Sequence, residues 1–373
     1  LNPSVLCENH SLHTQSNFRL LVVRLGAMGD ILHALPAVTA LRLAHPDWTI
    51  GWVVEPRWQP LLQAGNREQG SGIRADRGSE MPVVDRLHFA ASREWKRHPL
   101  NARTVAGILA LRHDLRAASY NAVLDLQGAI RSASIGRMSG CLRRIGEAAP
   151  REWPAHWLFT ERVATHGAHV IEQDVELASV VAGDKLSAAR PLLPVDPEAE
   201  TWCADWLDAT FPGDVRPIAL IAPGAGWGAK RWPPERYAAV ALGLAERGLR
   251  VLVNAGPGEE ALAEAITASG AAVSVTATLP ELIALTRRIA LCIGGDTGPL
   301  HLACALGRPV VGIYGPTDPS RNGPYGTRAR VLRSPDSRRD HSRRAAPDPG
   351  LLTIAPDDVL QAAAELLAEE NAV

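Results

Sequence analysis

No apolar run in the 373-residue chain approaches the roughly 18 residues that a membrane-spanning helix needs, so a soluble or peripheral protein is expected. Cysteine is scarce: Cys7, Cys141, Cys203, Cys292 and Cys304 are widely scattered and in no metal-ligand spacing, which suits a reducing cytoplasm. An Asp-x-Asp triplet is absent, which argues against a divalent cation bridging a diphosphate to the protein. Residues 1–18 have neither a basic start nor an apolar stretch, and a disordered tail is expected there rather than a signal peptide. The glycine spacing of the dinucleotide fingerprint is missing too, which weighs against a nicotinamide-dependent oxidoreductase.

The sequence does contain two rounds of short β-like runs alternating with helical patterns, and its length suits two domains. The expectation is an α/β chain of two doubly wound, Rossmann-like halves. The first covers residues 19–185 and the second 216–355, joined by a proline-rich, acidic linker at 186–215. An amphipathic helix over 356–373 is expected to pack back on the first half, and the arginine-rich, proline-rich stretch 333–350 to be an exposed loop. Ligands of such sheets bind outside the carboxyl ends of the strands, so the cleft between the halves is the expected site.

Three glycine-rich loops of the second half each follow a strand and open a helix. In Ala222-Pro-Gly-Ala-Gly-Trp-Gly-Ala-Lys-Arg-Trp-Pro233, Gly224, Ala225 and Gly226 let backbone N–H groups approach an anion, and Lys230 adds a mobile positive charge suited to a diphosphate. In Asn254-Ala-Gly-Pro-Gly-Glu-Glu260, Glu259 falls where an acid meets ribose hydroxyls in Rossmann-like sites. In Gly294-Gly-Asp-Thr-Gly-Pro-Leu-His301, the helix start at Thr297 and Gly298 favours a phosphate, and Asp296 can accept hydrogen bonds from sugar hydroxyls. His301 either contacts the donor or caps and packs. Singly these are ordinary turn and helix-start residues; at successive strand ends they describe a nucleotide-sugar pocket.

The first half has a different loop. Gly26-Ala-Met-Gly-Asp-Ile-Leu-His-Ala-Leu-Pro36 follows the apolar run Leu20–Val23 and precedes an amphipathic helical pattern. A carboxylate there would repel a phosphate, but across a cleft from an anomeric carbon Asp30 can take the proton of an attacking hydroxyl as a general base. Direct displacement with one base inverts the anomeric centre. Residues 86–151 carry twelve basic and four acidic side chains, which points to an anionic partner for this half.

These segments resemble the lipopolysaccharide heptosyltransferases of glycosyltransferase family 9, most closely those of type I. The likeness runs from about Leu20 to the last helix and rests on Gly26–Pro36, Trp52-Val-Val-Glu55, Asp125-Leu-Gln-Gly-Ala-Ile-Arg-Ser132, Lys230-Arg-Trp-Pro233, Gly294–His301 and Tyr314-Gly-Pro-Thr-Asp-Pro319. The resemblance implies a GT-B fold, a Kdo-lipid A acceptor on the first half, ADP-heptose on the second, and no metal or other cofactor. It assigns catalysis to Asp30 and the donor contacts to Lys230, Glu259, Asp296, Thr297 and Gly298. Ala225 and Gly226 stand where type I members commonly have threonines, so backbone N–H groups must replace those hydroxyls. Small residues there are typical of type II, while Arg93-Glu-Trp-Lys-Arg97 favours type I. Arg57, Arg97 and Arg131 are the expected contacts for acceptor carboxylates and phosphates. The implied setting is the inner face of the cytoplasmic membrane, with no nucleic-acid partner. The alternatives are a type II acceptor, another nucleotide sugar, or a binding protein without turnover.

Overall fold

The computed structural model describes residues 17–64, 82–339 and 344–370. Residues 1–16, which hold most of the expected tail and Cys7, lie outside the described residues. The first half contains β1 (Arg19–Val23), α1 (Met28–Ala44), β2 (Thr49–Val54), β3 (Arg86–Phe89), α2 (Ser92–Arg97), α3 (Ala102–Ala117), β4 (Ala122–Asp125), α4 (Ile130–Met138), β5 (Arg144–Glu147), β6 (Glu161–Val163) and α5 (Val170–Ala182). After α6 (Pro197–Thr210) the second half runs β7 (Ile218–Ala222), α7 (Pro234–Glu246), β8 (Arg250–Asn254), α8 (Glu260–Thr267), β9 (Val273–Val275), α9 (Leu279–Thr286), β10 (Leu291–Gly295), α10 (Gly298–Ala305), β11 (Val310–Tyr314), α11 (Pro319–Asn322), β12 (Ala329–Arg333) and α12 (Pro356–Glu370).

Among the described residues the strands form two six-stranded sheets, β3-β2-β1-β4-β5-β6 and β12-β11-β10-β7-β8-β9, parallel throughout. Both follow the same doubly wound order, the GT-B arrangement. Order reverses between β1 and β4 in one sheet and between β7 and β10 in the other, and these are the crevices where such sheets take ligands. The central strands are apolar from end to end because helices cover both faces: Leu20–Val23 and Ile218–Ala222 are buried throughout.

Three expectations are corrected here. Helix α1 starts at Met28 and is not amphipathic, since Ile31–Arg42 are all buried. It is packed against α5 within its own half and against α10 of the other half, so no face is left for water. The stretch expected to be a linker holds α6, whose first turn is capped by Asp196 and which packs on α9. Prolines at 194 and 197 end the extended crossing segment and start this helix, rather than marking loose chain. Helix α12 packs on α7, β11 and β12 of the second half instead of returning to the first. Its buried face, including Val359, Ala363 and Leu366, belongs to the same core as Val240 and Ile313.

Among the described residues no helix is long and apolar enough to cross a membrane. Cys141, Cys203, Cys292 and Cys304 are all buried and unpaired.

Candidate active site

The two sheet crevices face each other, and their closest approach is at the starts of α1 and α10. A β-carbon placed on Gly29 would lie 2.8 Å from Cδ2 of His301, and one on Gly298 would lie 2.5 Å from Sδ of Met28. Glycine at both positions lets the N-terminal turns of these helices, one from each half, come into contact. Asp30 is in the first turn of α1, where its carboxylate accepts the Ala27 N–H at 3.0 Å and pairs with Arg24 at 3.3 Å. Arg24 is almost buried while the Asp30 side chain is 38% exposed, so the carboxylate is held from behind and open toward the cleft.

Across the contact of Gly29 with His301, the second half carries a connected set of charged and polar groups. Lys230 Nζ lies 2.5 Å from Oδ2 of Asp296 and 3.2 Å from the Asp296 carbonyl, and 4.3 Å from the centre of the Trp227 ring. The other carboxylate oxygen of Asp296 accepts from Nε2 of His301 at 2.8 Å. Burial pushes the Asp296 carboxyl up, but its bonds and charge interactions with His301 and Lys230 outweigh that and hold it well below the usual carboxylate range. The His301 ring then reaches the first half: its Nδ1 is 3.2 Å from Nε2 of His33 on α1. Burial first, and then the neighbouring His301, His169 and Arg24, keep His33 well below the ordinary histidine range, so it is neutral at pH 7.

Glu259 caps α8, accepts the Gly256 N–H at 2.9 Å, and sits so close over Gly224 that a β-carbon there would meet its carboxylate at 2.3 Å. The loops after β7 and β8 therefore meet at Gly224, while a β-carbon on Gly226 would meet nothing within 4 Å. Thr297 precedes the first turn of α10 and Gly298 begins it. The stretch expected to be an exposed loop at 333–350 is in part built into this wall. Ala229 N–H donates to the Arg344 carbonyl and Asp348 N–H to the Ala229 carbonyl, at 3.0 and 3.1 Å. Asp348 is buried and accepts from Ser337, Gly350 and Leu351, so its carboxylate pins the segment down. Residues 340–343 lie outside the described residues.

In the first half, Glu55, just after β2, gathers the basic groups. Its carboxylate pairs with Arg57 at 3.3 Å and Arg93 at 3.4 Å and accepts from the Ser92 hydroxyl at 2.6 Å, which itself accepts from Arg131 at 3.1 Å. Arg57 and Arg131 are thus brought together, with Arg93 as a member that residue-by-residue reading passed over. Arg97 is exposed at the end of α2, outside this set of bonds. The Asp125–Ser132 segment is scaffolding: Asp125 accepts from Gln127, Gly128 and Ser132, and Gln127 accepts the Leu25 N–H, tying the loop after β4 to the loop that carries Asp30.

His33, His169, Arg24 and Trp227 also belong to the site and were not singled out from the sequence. His169, at the cap of α5, has its Nε2 3.0 Å from the Gly323 carbonyl, a second buried bond between the halves. Behind the His33–His301 contact is a cavity of about 450 Å³ bordered by Pro36, Arg190, Tyr325 and Arg328, on the linker side rather than over Asp30.

A carboxylate in the first turn of one helix, with a lysine–aspartate pair beside the start of the helix it touches, suits displacement at a carbon bearing an anionic leaving group. Comparison with known proteins agrees. Residues 108–348 match the model of glycosyltransferase family 9 (heptosyltransferase). Lipopolysaccharide heptosyltransferase 1 of Escherichia coli K12 is 29% identical over 324 residues, covering 85% of this chain and 94% of that protein. Lipooligosaccharide heptosyltransferase 2 of Haemophilus influenzae is 30% identical over 378 residues, covering 94% and 99%. The E. coli heptosyltransferase WaaC, solved with ADP-2-deoxy-2-fluoro heptose, superposes with a TM-score of 0.71 at 25% identity, covering 95% of this chain and 100% of that one.

Proposed function

The chain belongs to glycosyltransferase family 9, and from that premise we propose that it transfers heptose from ADP-heptose to the Kdo residue of Kdo-lipid A, inverting the anomeric carbon. This is the type I reaction of lipopolysaccharide inner-core assembly, carried out at the inner face of the cytoplasmic membrane. The observation that carries the reading is the contact of the start of α1, which holds Asp30, with His301 of α10, whose ring bonds the Asp296 that pairs with Lys230. The likeness to a relative named heptosyltransferase 1, and to a structure holding an ADP-heptose analogue, supports it.

In this reading the acceptor hydroxyl attacks the anomeric carbon while the bond to the diphosphate breaks, and Asp30 takes the hydroxyl proton. Lys230 leaves Asp296 for the diphosphate and, with the N–H groups of the loop after β7, stabilises its growing charge without a metal. Asp296 turns to the heptose hydroxyls and Glu259 to the ribose. The arginines around Glu55 bind the carboxylates and phosphates of the acceptor.

A type II acceptor, already carrying one heptose, is the second reading. It is favoured by Ala225 and Gly226 and by the likeness to a heptosyltransferase 2. Mass spectrometry of sugar transfer from ADP-heptose in the presence of EDTA, to Kdo-lipid A and to its monoheptosylated form, separates the two. Product from Kdo-lipid A alone supports type I. Product from the second acceptor alone overturns it for type II, and no product from either removes the substrate assignment.

A further inference from the structure

We propose that His33 is a positioning residue of the donor site, acting from the opposite half of the molecule by fixing the His301 ring and, through it, Asp296. The inference rests on the donor-site reading above and names a residue that reading does not use. The chain of contacts is continuous: His33 Nε2 to His301 Nδ1 at 3.2 Å, His301 Nε2 to Asp296 at 2.8 Å, and Asp296 to Lys230 at 2.5 Å. All four groups are at least nearly buried; His33 is 6% and His301 5% exposed. A carboxylate only accepts, so the hydrogen between His301 and Asp296 sits on His301 Nε2. The next hydrogen bond joins His301 Nδ1 to His33 Nε2, one ring donating to the other according to their tautomers.

Donor binding makes this link matter. A diphosphate that draws Lys230 away frees one oxygen of Asp296 for sugar hydroxyls and leaves the other on His301. His301 is then the remaining side-chain partner of that carboxylate, and its orientation depends on a bond from the other half. His33 is three residues after Asp30, hence near the same face of α1. The approach of α1 that brings Asp30 toward the anomeric carbon is the approach that closes the His33–His301 bond. Donor recognition and base placement are therefore coupled through one helix.

The test uses His33→Leu, which fills the space without a hydrogen-bonding group, and His33→Gln, whose amide can bond the same ring nitrogen. The expected result is a donor KM raised about tenfold in the leucine variant, with kcat reduced at least as much. The glutamine variant recovers at least a third of the wild-type kcat/KM. A leucine variant as active as wild type, or a glutamine variant as impaired as leucine, overturns the inference. Should the leucine variant not fold, nitrogen-edited NMR of histidine-labelled wild-type protein decides. A nitrogen–nitrogen coupling through the hydrogen shared by His33 Nε2 and His301 Nδ1 supports the proposal, and no such coupling overturns it. Wild-type protein that transfers nothing from ADP-heptose defeats the substrate reading alone, because the ring measurement is independent of substrate.

Discussion

Gly29 and His301 meet across the cleft so closely that a single added methyl group at Gly29 would stand 2.8 Å from the imidazole. That ring is held by Asp296 on one side and His33 on the other, so it cannot swing aside freely. Gly29→Ala should fold normally, since alanine favours a helix more than glycine does. It should nevertheless keep the halves apart and lower kcat/KM by about tenfold or more, at the scale expected when reacting groups are displaced by about an ångström. Steady-state kinetics alongside a melting curve checks this; unchanged kinetics would mean the closely docked arrangement is not the reactive one.

Lys230→Ala removes the cation that pairs with Asp296 and that the proposed mechanism turns toward the leaving group. Activity should fall on the order of 10²–10³-fold, as for loss of one preorganised charge-stabilising group. The rate should be insensitive to added Mg²⁺ in both proteins. Magnesium rescue of the variant would show that a metal can take over the role assigned to this side chain.

Glu259→Gln keeps a carbonyl oxygen to accept the Gly256 N–H but loses the charge. A ribose contact predicts a donor KM raised roughly tenfold with kcat little changed, since the contact is equal in ground and transition states. Binding of ADP by calorimetry should weaken in parallel. A fall in kcat alone would place Glu259 in the chemistry instead.

Asp174 on α5 is buried behind Asp30, and its Oδ2 lacks a hydrogen-bond partner. Burial pushes its carboxyl up to about 7, with Arg24 opposing and Asp30 and Glu147 adding to the rise. The folded-state value lies above the unfolded one, so the protonated form's contribution to stability is complete below about pH 4 and is lost as pH rises through about 7. Asp174→Asn should therefore gain on the order of 3 kcal/mol over wild type at pH 8 and nothing at pH 4. Denaturant melts at the two pH values test this, and an equal effect at both would contradict it.

The candidate loops were legible because glycine turns after apolar strands announce themselves locally, which is how Asp30, Lys230, Glu259 and Asp296 were picked out as candidates. The partnerships among them were not legible. Lys230 meets Asp296 across 66 positions because β7 and β10 are neighbours in one sheet, and His33 meets His301 across 268 because the two halves touch. His33 sits in a run of buried residues, where a histidine reads as core filling. Short charged strands such as Arg86–Phe89 and Glu161–Val163 lack a period long enough to declare themselves, although their backbones complete the first sheet. The stretch 344–348 reads as solvated loop because backbone groups and the buried Asp348, not apolar side chains, attach it to the loop after β7.

The central claim is that Asp30 removes the acceptor proton, and Asp30→Asn tests it most directly because the amide oxygen can still accept the Ala27 N–H at the start of α1. Heptose transfer should be measured at saturating donor and acceptor, with ADP affinity determined on the same protein. A fall in kcat of about 10²–10⁴-fold with unchanged ADP affinity is the predicted result. Transfer near the wild-type rate would contradict the account.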